Sequence, residues 1–136
     1  MLMINYDKIG LNMIIAVIDD EELILDVFSQ ILDRQGLEAE FFDHPQKALQ
    51  SILASPEKYA LVVCDVIMPD MDGITFAKRL RAALPEFPIM FMSGDSSEEI
   101  IETVEKMGRT VFLEKPFSLA DELERALFKL LPEKTR

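Results

Sequence analysis

Five short apolar runs recur along the chain: "MIIAVI" at 13–18, "EAEFF" at 38–42, "ALVVC" at 60–64, "PIMFM" at 88–92 and "TVFL" at 110–113. Each is followed by a longer stretch of helical period, and that alternation leaves few folds open. Short runs rich in β-branched residues read as strands, and those without polar alternation as strands buried on both faces. The stretches between them carry helix signals. "DDEELILDVFSQILDRQG" opens with acids suited to the positive end of a helix dipole and closes at Gly36. Leu23, Val27, Ile31 and Leu32 fall on its expected inner face. "PQKALQSIL" places Pro45 in a first turn, and "ITFAKRLRAAL" supplies a third helix. "SSEEIIETVEKMG" has capping-box spacing from Ser96 to Glu99 and closes at Gly108. "LADELERALFKLL" sets Leu119, Leu123, Leu127 and Leu130 on one face. Strands and helices in strict alternation predict an α/β domain, a parallel five-stranded sheet with helices on both faces.

In such sheets ligands bind outside the carboxyl ends of the strands, near the topological switch point. Asp19 and Asp20 follow the first run, Asp65 the third, Ser93 the fourth, and Lys115 with Pro116 the fifth. Taken singly, an Asp or Ser after a strand is most often a helix cap, and a Lys is most often solvated. Four strand ends delivering such residues to one edge is a different matter. Three carboxylates drawn together repel unless a cation sits among them, and Mg²⁺ suits them: a hard ion taking oxygen ligands, waters and phosphate. With the ion in place, Asp65 can attack phosphorus as a carboxylate nucleophile. Lys115 offers a positive charge and Ser93 a hydroxyl to the phosphoryl oxygens. The reactive group is the charge at the end of the apolar strand.

Length and charge narrow the reading further. With 136 residues, 49% of them hydrophobic, the chain suits one domain over 13–131, an N-terminal extension over 1–12 and a C-terminal tail over 132–136. The net charge of −11 argues against direct nucleic-acid binding, which relies on Lys and Arg at phosphates. The single cysteine, Cys64, fits a reducing cytoplasm and reads as core packing. The longest apolar run, Met13 to Ile18, is too short to cross a bilayer. His44 in "DHPQ" reads as an ordinary turn residue, and Met68, Met71, Met90 and Met92 as gap fillers.

The segments "IDDEE", "CDVIMPDMDG", "MSGD" and "FLEKPF" resemble the receiver domain of two-component response regulators, in order and over 13 to about 131. The resemblance implies a stand-alone, chemotaxis-regulator-like flavodoxin fold with strand order 2-1-3-4-5, an arrangement for which receiver proteins are themselves a standard example. It implies that Asp65 is the phosphoacceptor, that Asp19, Asp20 and Asp65 hold Mg²⁺ with the backbone carbonyl of Ile67, and that Ser93 and Phe112 form the switch, with Lys115 beside the phosphoryl group. It implies a partner histidine kinase or histidine phosphotransfer protein. The output would go to a downstream protein or a second copy through the fourth helix, fifth strand and fifth helix. Arg109 in "GRTVF" departs from the family, which commonly has a small residue there. A competing reading is a Mg²⁺ phosphohydrolase with an Asp nucleophile, but the haloacid-dehalogenase-like pattern wants a second acid where Ile67 stands. A nucleotide or flavin binder is a third, and "DDEE" would repel the phosphate it needs.

Overall fold

Apolar content decides which strands lie at the centre. In the computed structural model, which describes residues 14–68, 71–94, 97–114, 124–126 and 129–130, five parallel strands form one sheet of order 2-1-3-4-5. They are β1 (Ile14–Ile18), β2 (Glu38–Phe42), β3 (Tyr59–Asp65), β4 (Ile89–Ser93) and β5 (Thr110–Glu114). β1, β3 and β4 are buried throughout, as their unbroken apolar runs require. The two edges are half-open: β2 alternates Glu with apolar residues, and β5 buries only Leu113 fully. Four helices are complete among the described residues: α1 (Glu22–Arg34), α2 (Pro45–Ala54), α3 (Gly73–Ala83) and α4 (Glu98–Met107). A 3₁₀ turn, Pro56–Lys58, leads into β3.

Successive strand residues point to opposite faces, so two cores form. On one face Ile15, Val17, Leu61, Val63, Met90 and Met92 meet Phe28, Ile31 and Leu32 of α1, with Ala126 and Leu130 from the helical residues near the C-terminus. On the other, Ala16, Ile18, Val62, Cys64 and Phe91 meet Ile52 of α2, Phe76 and Leu80 of α3, and Val104 of α4. Burying a side chain such as Phe28 or Leu80 contributes roughly 1.5–3 kcal/mol each. Cys64, Met90 and Met92 are wholly buried packing residues, as expected.

The inner face of α1 differs from the expected one. Leu23 is 79% exposed and Val27 38%, while Phe28, Ile31 and Leu32 are buried and Ile24 and Leu25 pack against them. The helix is rotated toward its bulkiest residue, Phe28, whose ring fills more of the core than Val27 could. It ends in a Schellman motif: Gly36 has φ 71°, its N–H donates to Asp33 (3.0 Å), and the Leu37 N–H donates to Leu32 (2.9 Å). Two caps also differ from expectation. His44 is the N-cap of α2, its Nδ1 accepting from the Gln46 N–H at 3.2 Å, and Ser97 is the N-cap of α4. Leu119, Leu123, Leu127 and the residues 95–96 lie outside the described residues; Leu130 is buried as expected.

One buried amide has no counterpart among the described residues. Gln35, at the C-cap of α1, is 2% exposed, and neither its Oε1 nor its Nε2 has a hydrogen-bond partner there. A buried polar group left unsatisfied costs about 1–3 kcal/mol. Gln35→Leu is therefore expected to stabilise the protein by about 1 kcal/mol, read as a higher urea midpoint at unchanged slope; a lower midpoint would show that the amide is satisfied in solution.

Candidate functional site

Strand register brings the acids together. Ile18 pairs with Cys64 and Asp65 with Met92, so the residue after β1, Asp19, lies level with Asp65, and Ser93 stands one position beyond Met92. Asp65 is the last residue of β3, which extends through the carboxylate and does not stop at Cys64. All three are buried: Asp19 is 1% exposed, Asp65 6% and Ser93 0%. Carboxylate oxygens of Asp19, Glu21 and Asp65 lie within 4.8 Å of one another, an arrangement that could hold a metal ion.

Glu21 is the member of this group that sequence reasoning missed. Asp20 is exposed and lies outside the group. The reason is geometric. Asp20 lies in a bend between β1 and α1, and this turn sets Glu21, not Asp20, beside Asp19. Glu21 occupies the N-cap of α1, yet its side chain makes no cap bond, and its backbone N–H donates to Asp19 Oδ1 at 2.9 Å.

Backbone bonds hold the loop after β3. The Ile67 N–H donates to Asp65 Oδ1 (3.1 Å), the Val66 N–H to Met92 O (2.8 Å) and the Gly73 N–H to Val66 O (2.7 Å). Asp72 caps α3 by accepting from the Thr75 N–H at 2.7 Å. Gly73 is required by space and not by torsion: a Cβ there would strike the carbonyl oxygen of Asp65 and come within 2.9 Å of the Val66 Cα. Ile67 itself is 61% exposed. With Met68, Ile74, Lys78 and Ile100 it lines a groove of about 410 Å³ between α3 and the first turns of α4. Phe112 is half-buried, pairs with Phe91 across β4–β5, and packs against the core shared by α2, α3 and α4. Lys115 lies outside the described residues, as do Asp70 and Asp95.

Buried behind Asp65, the Cys64 thiol is pushed well above the usual thiol range by burial, and the negative charges of Asp65, Asp19 and Asp72 push it the same way. It is held as a neutral packing group, inert toward the chemistry beside it.

A buried edge where a parallel sheet presents clustered carboxylates and a hydroxyl defines a class: an α/β domain built for phosphoryl or metal chemistry at its carboxyl end. The comparisons with known proteins make this specific, since a model of the response regulator receiver domain family matches residues 15–127 and the chain belongs to that family. The chain is 37% identical over 103 residues to the transcriptional regulatory protein FixJ of Bradyrhizobium diazoefficiens, covering 76% of this chain and 49% of that protein. It is 33% identical over 108 residues to the alkaline phosphatase synthesis transcriptional regulatory protein PhoP of Bacillus subtilis, covering 79% and 44%. It thus spans about half the length of these curated relatives. Among solved structures, chemotaxis protein CheY4 of Vibrio cholerae superposes with a TM-score of 0.76 at 28% identity, over 89% of this chain and 99% of that one. The CheX–CheY–BeF3–Mg complex of Borrelia burgdorferi shares the fold, with a TM-score of 0.82 at 22% identity over 95% and 96% of the two chains. Among the described residues no helix is long and apolar enough to cross a membrane.

Two outcomes check this geometry. Gly73→Ala should destabilise the fold by about 1–3 kcal/mol, because the methyl has only backbone to displace, and thermal denaturation should show it. Native protein should resist iodoacetamide at Cys64 near pH 8 and be alkylated once unfolded, as intact-mass measurement would reveal.

Proposed function

We propose that Asp65 is the phosphoacceptor of a two-component phosphorelay. The observation that carries this reading is one carboxylate, at the end of a buried strand, within 4.8 Å of two others in a chain of the receiver family. The donor set is hard oxygen, which fits Mg²⁺. Asp19, Glu21 and Asp65, with Asp20 beside them and the Ile67 carbonyl, are the groups that would hold the ion. When bound it supplies positive charge against the phosphoryl oxygens.

The remaining work falls to the chain. An Asp65 oxygen attacks the phosphorus of a partner's phosphohistidine, forming an O–P bond as the P–N bond breaks. The imidazole leaves with the electron pair and takes up a proton from water. The donor is a histidine kinase or a histidine phosphotransfer protein. The Ile67 N–H, which already donates to Asp65 Oδ1, fixes the orientation of the attacking carboxylate. Ser93 and Lys115 donate to the phosphoryl oxygens. Water later attacks the phosphoryl group in line, so the protein catalyses only its own phosphorylation and dephosphorylation. Ile67 flanks that approach and offers water no hydrogen bond, which favours a long-lived phosphate.

The added charge draws the Ser93 hydroxyl toward the phosphate, and the Phe112 ring turns into the space beside β4. A downstream protein or a second copy reads the change on the surface of α4, β5 and the C-terminal helix. The ring lacks a hydroxyl to anchor either position, which favours a graded population shift. We assign 13–131 to the receiver, 1–12 to an extension and 132–136 to a tail, and place the protein in the cytoplasm. In a chain of net charge −11 the domain contacts proteins and not nucleic acid directly.

The phosphohydrolase reading is disfavoured by Ile67, which is apolar where a second acid would be needed. Asp65→Asn should abolish labelling by a small phosphodonor with Mg²⁺, and either chelation or Asp20→Asn should reduce it strongly, followed by intact-mass spectrometry. Normal labelling of Asp65→Asn would refute the assignment. Ile67→Asn should shorten the phosphate lifetime; a longer one would reverse the argument about water access.

A further inference from the structure

Leu23 and Ile67 are the two most exposed large apolar side chains among the described residues, at 79% and 61%. A lone exposed apolar residue is ordinary on a protein surface. These two differ in what surrounds them, and their surroundings are complementary.

Around Leu23 the surface is acidic. Leu23 and Val27 stand four residues apart on α1 and form one exposed stripe. Glu22 and Asp26 form the neighbouring stripe at the same spacing, and both are exposed. Asp20 and Glu21, also exposed, precede them. The first two turns of α1 thus present an aliphatic pair rimmed by carboxylates.

Around Ile67 the surface is basic. The groove of about 410 Å³ that Ile67 lines with Met68, Ile74 and Ile100 is bordered by Lys78. Asp72 lines it too, but its carboxylate is engaged as the cap of α3, accepting from the Thr75 N–H. The eleven residues of α3 carry three cations and no acid. Arg81 turns inward and donates to the carbonyls of Phe87, Met107, Gly108 and Arg109, while Lys78 and Arg79 are exposed. In a chain of net charge −11 this is a local reversal of sign.

Both features lie at the carboxyl edge of the sheet, but on opposite faces. α1 packs on the face of Ile15, Val17 and Val63, whereas α3 and α4 pack on the face of Ile18, Val62 and Phe91. One copy therefore cannot close its own α1 onto its own groove, and a second copy can.

We propose that the chain associates head to tail, the Leu23–Val27 stripe of one copy seated in the α3–α4 groove of the next, with Glu22 and Asp26 facing Lys78 and Arg79. An apolar centre with a polar rim is the usual anatomy of a protein interface. Donor and acceptor are different surfaces, so the contact is heterologous and leaves an open stripe at one end and an open groove at the other. α4 of a second copy is a poorer occupant: its exposed residues Glu98, Glu99, Glu102 and Glu105 supply charge, but its two isoleucines are half-buried. Two turns of helix make a small contact, and the net charge opposes it, which places the association in the weak, concentration-dependent class. It does not depend on Asp65 being the phosphoacceptor.

Sedimentation velocity of the full chain, from micromolar to millimolar concentration, tests it. The wild-type sedimentation coefficient should rise with concentration. Leu23→Ser removes the anchor, and Lys78→Glu sets a carboxylate against the acidic stripe; each should weaken association about tenfold or more. Both positions are exposed, so both variants should fold, which far-UV circular dichroism checks. An equimolar mixture of the two should form a dimer and stop there, because the intact α1 of the Lys78→Glu chain meets the intact groove of the Leu23→Ser chain. A wild type that stays monomeric at millimolar concentration overturns the proposal. So does wild-type association retained by either variant, or a mixture no more associated than the variants alone.

Discussion

Repulsion between Asp19 and Asp65 is the constraint around which the rest of the domain is arranged. The two carboxylates are nearly buried and lie within 4.8 Å of each other and of Glu21. A pair of charges at that distance costs about 1–3 kcal/mol for effective dielectrics between water and a protein surface. Strand register holds their backbone positions level: β1 and β3 are adjacent, paired from Ile14 to Ile18, and buried from end to end. A cation held there would offset the repulsion, and its occupancy and the stability of the sheet edge would then be linked.

The fold class was legible because strands and helices alternate strictly along the chain. The runs at β1, β3 and β4 are apolar throughout and became the three central strands. The glutamates of β2 accord with its place at an edge, whereas β5, as apolar in sequence as the central strands, is an edge too. Helix faces were less legible. Leu23 and Val27 satisfy the helical period of α1 as well as Phe28 does, and periodicity alone does not say which of two overlapping stripes faces inward. The answer came from tertiary packing, in which the larger ring takes the core position.

The site was legible in part for the same reason. Asp19, Asp65 and Ser93 could be placed because they end strands, and a strand end has a defined location at the sheet edge. Glu21 could not, because it belongs to a connection whose conformation is set residue by residue. Arg81 was invisible for a stronger reason. Its partners lie 6, 26, 27 and 28 positions away, and a backbone carbonyl leaves no trace in a sequence. The need for glycine at position 73 comes from the approach of the Asp65 carbonyl, which exists only in the folded chain.

At the C-terminal end of α4, Arg81, Thr110 and Gly108 bind the terminal carbonyls that helix geometry leaves open. A packed sheet deforms little under a local change of charge. Ile100 of α4 shares a groove with the loop after Asp65, which places the first turns of that helix beside the acids.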